Sequence, residues 1–248
     1  MVAQASQRIV RRPRAFVRVS GPDAGDYLQR MVSNDVEALA VGETCEALLL
    51  TAKARIIAPL HVLRRAEDDF LVSTEPELGD RVAAELMRMR FAAKCEIARE
   101  EHEAWLVVDG DEVVDQRPDG DELSEEEAER ARIEAGIPRW GFELDESILP
   151  AEAGLDQTHI SFTKGCYPGQ EPIARLQYRG HVNRRLRVVA VDSASPGQEI
   201  EYAGKAVGRI TSAVPGLALA YVRKEVPDDA ELSVGGATAR LHLAPARP

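Results

Sequence analysis

The chain has 248 residues, 44% of them apolar, and a net charge of −11 at neutral pH. That length exceeds the usual single domain and suggests one or two compact units with a sizeable core. The acidic balance argues against non-specific nucleic-acid binding, which rests on many phosphate contacts.

Residues 14–19 read as a first strand. Ser20-Gly21-Pro22-Asp23 then opens a helix, with Ser20 as N-cap and Pro22 in the first turn. Ala24, Tyr27, Leu28 and Met31 follow the i, i+3, i+4, i+7 pattern of one buried face. The helix ends near Ser33-Asn34-Asp35. Residues 45–51 and 55–63 are strand-like runs joined by a hairpin at 52–54. His61, on the second run, is expected to be solvated or satisfied. Thr74-Glu75-Pro76-Glu77 reads as a capping box for a helix with a stripe of Leu78, Val82, Leu86 and Met89.

Short strands at 94–97 and 104–108 complete what reads as a ferredoxin-like split β-α-β layer. The acidic stretch 109–127 begins as a solvated loop. Ser124 and Glu127 form a second capping box for a helix over 125–135, supported by Glu126/Arg130 and Glu129/Arg132 and stopped by Gly136 and Pro138. Beyond Arg185 the texture changes. Apolar runs at 186–191, 206–211, 217–222 and 237–243, separated by Gly/Pro turns, read as a small antiparallel barrel.

No apolar run approaches the ~20 residues that span a bilayer, and residues 1–14 lack a signal-peptide core, so the cytoplasm is the expected compartment. Cys45, Cys95 and Cys166 are far apart and form no CxxC pair, so no metal site within the chain is expected. Cys45 and Cys95 read as small buried hydrophobes.

The stretch Ser161-Phe162-Thr163-Lys164-Gly165-Cys166-Tyr167-Pro168-Gly169-Gln170-Glu171 differs in kind. Glycines and a proline bracket one cysteine, so the backbone is being shaped rather than packed; glycine permits positive φ and the close approach of a ligand. From Lys164 to Arg187, six Lys/Arg stand against one acid, Glu171, a local charge of +5. Such an island on an acidic chain attracts a small anion.

Residues 164–171, with Ala174-Arg175 and Tyr178-Arg179-Gly180, resemble the signature of the YgfZ folate-binding proteins. These are relatives of the glycine-cleavage T-protein, an aminomethyltransferase, and are associated with iron–sulfur cluster assembly and repair. Arg132-Ile133-Glu134-Ala135-Gly136-Ile137-Pro138, then Gly141-Phe142-Glu143-Leu144-Asp145-Glu146 and Leu149-Pro150, are similar to the T-protein segment whose Glu grips the pterin.

The resemblance implies an α+β, GcvT-like fold of mixed ferredoxin-like layers with a small C-terminal antiparallel β-barrel. Residues 1–50 and 151–185 would form a discontinuous folate-binding layer, 51–150 a ferredoxin-like layer and 186–248 the barrel. Implied with it are tetrahydrofolate or a related folate, iron–sulfur client or assembly proteins as partners, and a link to tRNA modification that is indirect. Cys166 would be the functional thiol, with Lys164 beside it. Asn34, Glu134, Tyr167, Gly169, Gln170, Glu171, Arg175 and Arg179 would form the folate site.

Several of these residues carry two readings. Asn34 and Asp35 either end a helix, as turn formers do, or lie close to the ligand as a similar T-protein pair does. Glu134 sits in a last helical turn, where the dipole disfavours a carboxylate by roughly 0.3–1 kcal/mol. Either it is exposed and indifferent, or a pterin presents it with an amino group and a ring N–H. Cys166 is a thiol activated by neighbouring cations such as Lys164 and Arg175, or a buried residue under a tight turn. Tyr167, Tyr178 and Phe162 are ring walls or core.

One departure from the enzyme relatives stands out. Where T-proteins carry an aspartate in a Gly-x-Ile-x-Asp-Asp-like run, this chain has Arg55-Ile56-Ile57-Ala58-Pro59-Leu60. Neither Ala58 nor Pro59 can act as a base or steady a cationic carbon. The sequence therefore reads as a folate-binding accessory protein without conventional turnover. A folate-dependent aminomethyl or one-carbon transferase and a non-catalytic folate-binding interaction module are the alternatives.

Overall fold

In a computed structural model that describes residues 6–108 and 110–242, the chain folds as two units. Residues 1–122 and 155–178 form the first, residues 123–154 and 179–248 the second. The first begins with β1 (Arg8–Arg11), β2 (Ala15–Ser20), α1 (Ala24–Met31), β3 (Thr44–Leu50) and β4 (Ile56–Ala66). It continues with β5 (Asp69–Thr74), α2 (Gly79–Met89), β6 (Glu96–Glu100), β7 (Ala104–Val107), β8 (Glu112–Val114) and β9 (Asp121–Glu122). α3 (Glu125–Glu134) belongs to the second unit. The chain then re-enters the first, runs through α4 (Gln170–Arg179), and finishes in six strands of the second. These are β10 (Arg184–Val191), β11 (Glu199–Tyr202), β12 (Lys205–Val214), β13 (Gly216–Arg223), β14 (Glu231–Val234) and β15 (Ala237–His242).

In the first unit a five-stranded antiparallel sheet runs in the order β3-β4-β5-β2-β6. The two-residue period of its strands puts Val17, Val19, Phe70 and Val72 on one face, the one α1 and α2 cover. Phe16, His61, Leu71 and Ser73 point the other way, toward a second sheet in the order β8-β7-β1-β9. Phe16, Leu71 and Ala104 close that contact. Because both faces are covered, His61 is buried beside Leu60 and Val62 rather than solvated. The expected cut at residues 50/51 falls at the β3–β4 hairpin within this sheet, where Ala54 takes a φ of 59°.

Three local expectations change in the folded chain. Ser20 is the last residue of β2, paired with Asp69 and Glu96, and not the N-cap of α1. Gly21, at a φ of 125°, turns the backbone first, so Asp23 takes the cap position. Its carboxylate accepts from the Lys94 N–H at 2.7 Å rather than from its own helix. Thr74 likewise ends β5; its hydroxyl donates to the Pro59 carbonyl at 2.7 Å, and a short 3-10 turn (Pro76–Leu78) leads into α2. Leu78, Val82 and Leu86 are buried as expected, whereas Met89, the last residue of the expected stripe, is only half-buried. The stretch read as a solvated acidic loop supplies β8 and β9, with Glu112 only 7% exposed.

In the second unit the capping box at Ser124 and Glu127 forms in both directions. Arg132 pairs with Glu129 as expected, but Arg130 donates to the Pro215 carbonyl instead of bonding Glu126. Ile133 is the one buried residue of α3 and packs with Val188 and Leu219 of the barrel. The barrel is closed, in the order β10-β13-β12-β11-β14-β15. Four of its strands were legible as apolar runs. β11 and β14 were not, because each has four residues and spends the outward positions on Glu199, Glu201 and Glu231. Leu243, at the end of the last expected run, lies outside the described residues, as do residues 1–5 and Asp109. No helix among the described residues is long and apolar enough to cross a membrane.

Candidate functional site

The segment 155–178 returns to the end of α1, and Ser33 is the hinge of that return. Its side chain is fully buried; the hydroxyl donates to the His159 carbonyl at 2.6 Å and accepts from the Leu48 N–H at 2.8 Å. Its carbonyl accepts the Ser161 N–H at 3.0 Å. Asn34 joins the same three segments. Its Nδ2 donates to the carbonyls of Glu46 (2.7 Å) and Thr158 (3.1 Å), and its Oδ1 accepts from the Asp35 N–H. The Asn34 side chain is therefore spent on backbone. Asp35 accepts from Gln29 and from the Ala38 N–H, the turn-forming half of the two readings.

The loop that follows is held at both ends. At its start, the Ser161 hydroxyl accepts from the Lys164 N–H at 3.2 Å. The Lys164 side chain is buried, and its Nζ donates to the carbonyls of Val32 (2.8 Å) and Asn34 (2.6 Å). Carbonyls at a helix C-terminus carry the negative end of the dipole, so an ammonium is the natural cap. Burial pushes Lys164 down to about 8, against the opposing pull of Asp35 and its neighbours. The ammonium also lies 5.5 Å from the centre of the Tyr167 ring. Tyr167 is itself buried, and burial pushes its phenol up to about 12.

At the far end, Gly169 has a φ of 87°, and a Cβ there would sit 2.7 Å from the Thr51 carbonyl oxygen. The close approach that glycine permits is made by the β3–β4 hairpin. Gln170 then opens α4, its N–H donating to the Tyr167 carbonyl at 3.2 Å. Between the two anchors Gly165 and Cys166 are exposed, and nothing lies within 4 Å of where a Gly165 Cβ would be. Cys166 is therefore not a buried residue under a tight turn.

Three of the six cations read along the sequence as one island are paired with acids. Arg175 bonds Glu171 at 3.0 Å, both on the exposed side of α4. Arg184 bonds Glu152 at 2.9 Å and stacks on Tyr221, and Arg187 bonds Asp228 at 2.7 Å. Glu152 and Asp228 lie outside the window that gave +5, which is why the count overstated the field. Arg179 is exposed. Neither cation expected to activate the thiol is free to do so by its side chain alone: Lys164 is committed to carbonyls and Arg175 to Glu171.

In the second unit Glu134 ends α3, exposed, and its carboxylate makes no hydrogen bond or ion pair among the described residues. Its neighbour Glu143 is the opposite case. It is buried and accepts from Arg132 (2.9 Å), the Arg139 N–H (3.0 Å) and the Ser212 hydroxyl (2.6 Å). Among the described residues no three His, Cys, Asp or Glu side chains are grouped to hold a metal ion.

The three thiols differ in access, which gives a direct check. Cys166 is exposed, Cys95 is buried, and burial pushes the half-buried Cys45 up to about 12. The thiolate is the reacting form. Iodoacetamide on the native protein should therefore label one thiol per chain, mapped by mass spectrometry to Cys166, with the others labelled only after unfolding. Equal labelling of Cys45 would contradict this geometry.

Comparison with known proteins agrees with the fold. Residues 14–112 match the family model described as the GCVT N-terminal domain, and residues 183–248 match the CAF17 C-terminal beta-barrel domain. The chain is 30% identical over 220 residues to the tRNA-modifying protein YgfZ of Edwardsiella ictaluri, covering 68% of this chain and 66% of that protein. It is 25% identical over 282 residues to the mitochondrial iron-sulfur cluster assembly factor IBA57 homolog of Pyricularia oryzae, covering 88% of this chain and 72% of the relative. The crystal structure of glycine cleavage system aminomethyltransferase T from Bartonella henselae superposes with a TM-score of 0.78, over 97% of this chain and 86% of that one. Its sequence is 17% identical, so this likeness is one of fold.

Proposed function

The chain belongs to the family of YgfZ- and GcvT-like proteins, and on that premise we propose that it binds a tetrahydrofolate and supports iron–sulfur cluster assembly or repair through Cys166. The observation that carries this reading is the loop clamped by Lys164 and Gly169, which exposes Gly165 and Cys166 and little else. A rigid base under an exposed nucleophile suits a group that meets a partner rather than one that packs.

A second observation supports a role without conventional turnover. Ala58 is fully buried in β4, and the Pro59 carbonyl is taken by Thr74, so the place where the enzyme relatives carry an acid has no ionisable group. The fit to a folate rests on Glu134, whose carboxylate, without a partner among the described residues, offers two acceptor oxygens to the pterin edge. Arg179, exposed and without an ion pair among the described residues, is a cation available to the glutamate tail. When bound, the folate would supply a carrier for one-carbon units; Glu134 would bind and orient its ring. The relative named for tRNA modification fits the same reading indirectly, through modifying enzymes that depend on clusters, because an acidic chain is a poor RNA ligand.

Calorimetric titration of tetrahydrofolate into wild type, Glu134→Ala and Cys166→Ala tests this. Losing a charge-assisted pair of hydrogen bonds, roughly 1.5–3 kcal/mol, should weaken binding by the Glu134 variant by one to two orders of magnitude. Cys166→Ala should bind as wild type does yet fail to restore iron–sulfur enzyme activities to a deletion strain. A wild type that binds no folate would remove the ligand from the proposal. Normal iron–sulfur enzyme activities in the deletion strain, oxidative stress included, would remove the role.

A further inference from the structure

His102 lies in the connection 101–103, where the chain crosses from β6 of the five-stranded sheet to β7 of the second sheet. Its ring stands edge-on to Phe16 of β2, with centres 5.1 Å apart, and 16% of the side chain is exposed. Each ring nitrogen meets a carboxylate. Nε2 is 2.9 Å from Glu100 at the end of β6, and Nδ1 is 2.6 Å from Asp115, the residue after β8. An ionised carboxylate only accepts, so both contacts are hydrogen bonds only when both nitrogens carry protons. The neutral ring has one N–H and must give up one partner.

The two partners are held unequally. Glu100 also accepts from Arg65 of β4 at 2.8 Å and has Arg18 of β2 at 3.7 Å; both arginines bond Asp69 of β5. Asp115 is 56% exposed, and its carboxylate also accepts the Glu103 N–H at 3.1 Å. The Glu103 carboxylate pairs with Arg11 of β1 at 2.6 Å. Asp115 holds left-handed backbone, at a φ of 58°, and its N–H donates to the Glu103 carbonyl at 2.8 Å. A neutral ring therefore keeps its Nε2–H on Glu100, and a bare Nδ1 faces the Asp115 carboxylate. A lone pair against an anion at that distance is repulsive, and the exposed acid is the one free to swing into water.

We propose that His102 is a proton-operated latch: as the imidazolium it ties the turn after β8 to the edge of the five-stranded sheet, and on losing its proton it releases Asp115. Burial pulls the ring's pKa down, but the bonds from Glu100 and Asp115 outweigh it and hold the group above its ordinary value of 6.5. The latch is therefore fully closed below the ordinary histidine value and opens as pH rises through the folded value. Both acids stay ionised across that range. Arg65 leads in holding the Glu100 carboxyl low, and at Asp115 the bonds from His102 and the Glu103 N–H outweigh burial. A histidine switches near physiological pH, where a lysine or arginine in the same place would stay charged.

Nitrogen NMR of the full chain tests this, with the His102 ring assigned through bonds. The His102 midpoint should lie above 6.5. Beyond it the neutral ring should be the Nε2–H tautomer. The Glu103 amide, whose acceptor is Asp115, should change shift with the same midpoint. Its protection against exchange, corrected for the intrinsic rate at each pH, should fall about three- to tenfold, the range for one partly exposed charged contact. Asp115→Asn should lower the midpoint. A midpoint at or below 6.5, an Nδ1–H neutral tautomer, or a Glu103 amide indifferent to the His102 titration would each overturn the latch, and all three are read on wild type. An unchanged midpoint in a folded Asp115→Asn would overturn it as well.

Discussion

Replacing Glu112 by Gln should destabilise the protein by about 3–5 kcal/mol, the range for breaking a buried ion pair from one side. Glu112 accepts from Arg14 Nε at 2.8 Å and from the Ser73 hydroxyl at 2.7 Å, with Arg12 at 3.5 Å and His61 at 3.8 Å. The side chains of Glu112 and Arg14 are 2% and 6% exposed, so the arginine has no water to fall back on. Glu75, at 3.4 Å from Arg14 and 3.6 Å from Arg12, would be the remaining counter-charge and places the loss toward the lower end. Urea unfolding at neutral pH measures it. A change below 1 kcal/mol would mean that the cluster behaves as a solvated surface pair.

The same residue fixes a pH dependence. Burial pushes the Glu112 carboxyl up, but Arg14, His61, Arg12 and the Ser73 hydroxyl outweigh it and hold the group below its ordinary value of 4.5. As pH falls below that value, the unfolded chain takes up a proton that the folded chain refuses until a lower pH. The stabilisation is therefore complete above the ordinary carboxylate range and lost as pH falls through the folded value. Wild type should lose stability with acid more steeply than Glu112→Gln does. Parallel acid profiles would show that Glu112 is not the group responsible.

Gly169→Ala should cost about 2–5 kcal/mol, combining left-handed backbone with overpacking. The added methyl would press on the Thr51 carbonyl at 2.7 Å and on Ala54 Cα at 3.1 Å, both backbone atoms that cannot swing aside. Gly165→Ala, only four residues away, is the contrast. Its backbone is not left-handed and its Cβ meets nothing, so stability should stay within about 0.5 kcal/mol of wild type. Thermal melts of the two variants decide whether the motif's glycines share one role. Equal losses would refute the clamp at Gly169.

Much of the secondary structure in both units was legible because its determinants are local. The stripe of Ala24, Tyr27, Leu28 and Met31 needs only helical spacing, and the Ser124/Glu127 box needs three residues of separation. Ser20 and Thr74 carried equally good local signals and were pre-empted. Ser20 is paired as a strand residue, and the Thr74 hydroxyl satisfies a carbonyl on β4. Asn34 was readable as a turn former, but not as the tie between Glu46 and Thr158, residues far away in the chain.

The site divides in the same way. Composition and order along 161–171 marked the loop, the glycines that shape it and the thiol it carries. Only the tertiary structure decided what each polar group spends itself on: Lys164 on the end of α1, Arg175 on Glu171, Arg184 on Glu152 and Arg187 on Asp228. It also decided that Glu112, one acid in an acidic run, is buried among two arginines, while Glu134 has no partner among the described residues. Periodicity and turn chemistry act over a few residues and are written in the sequence. Electrostatic pairing and hydrogen-bond satisfaction act between groups brought together by folding, and which acid meets which base is settled only when the sheets have packed.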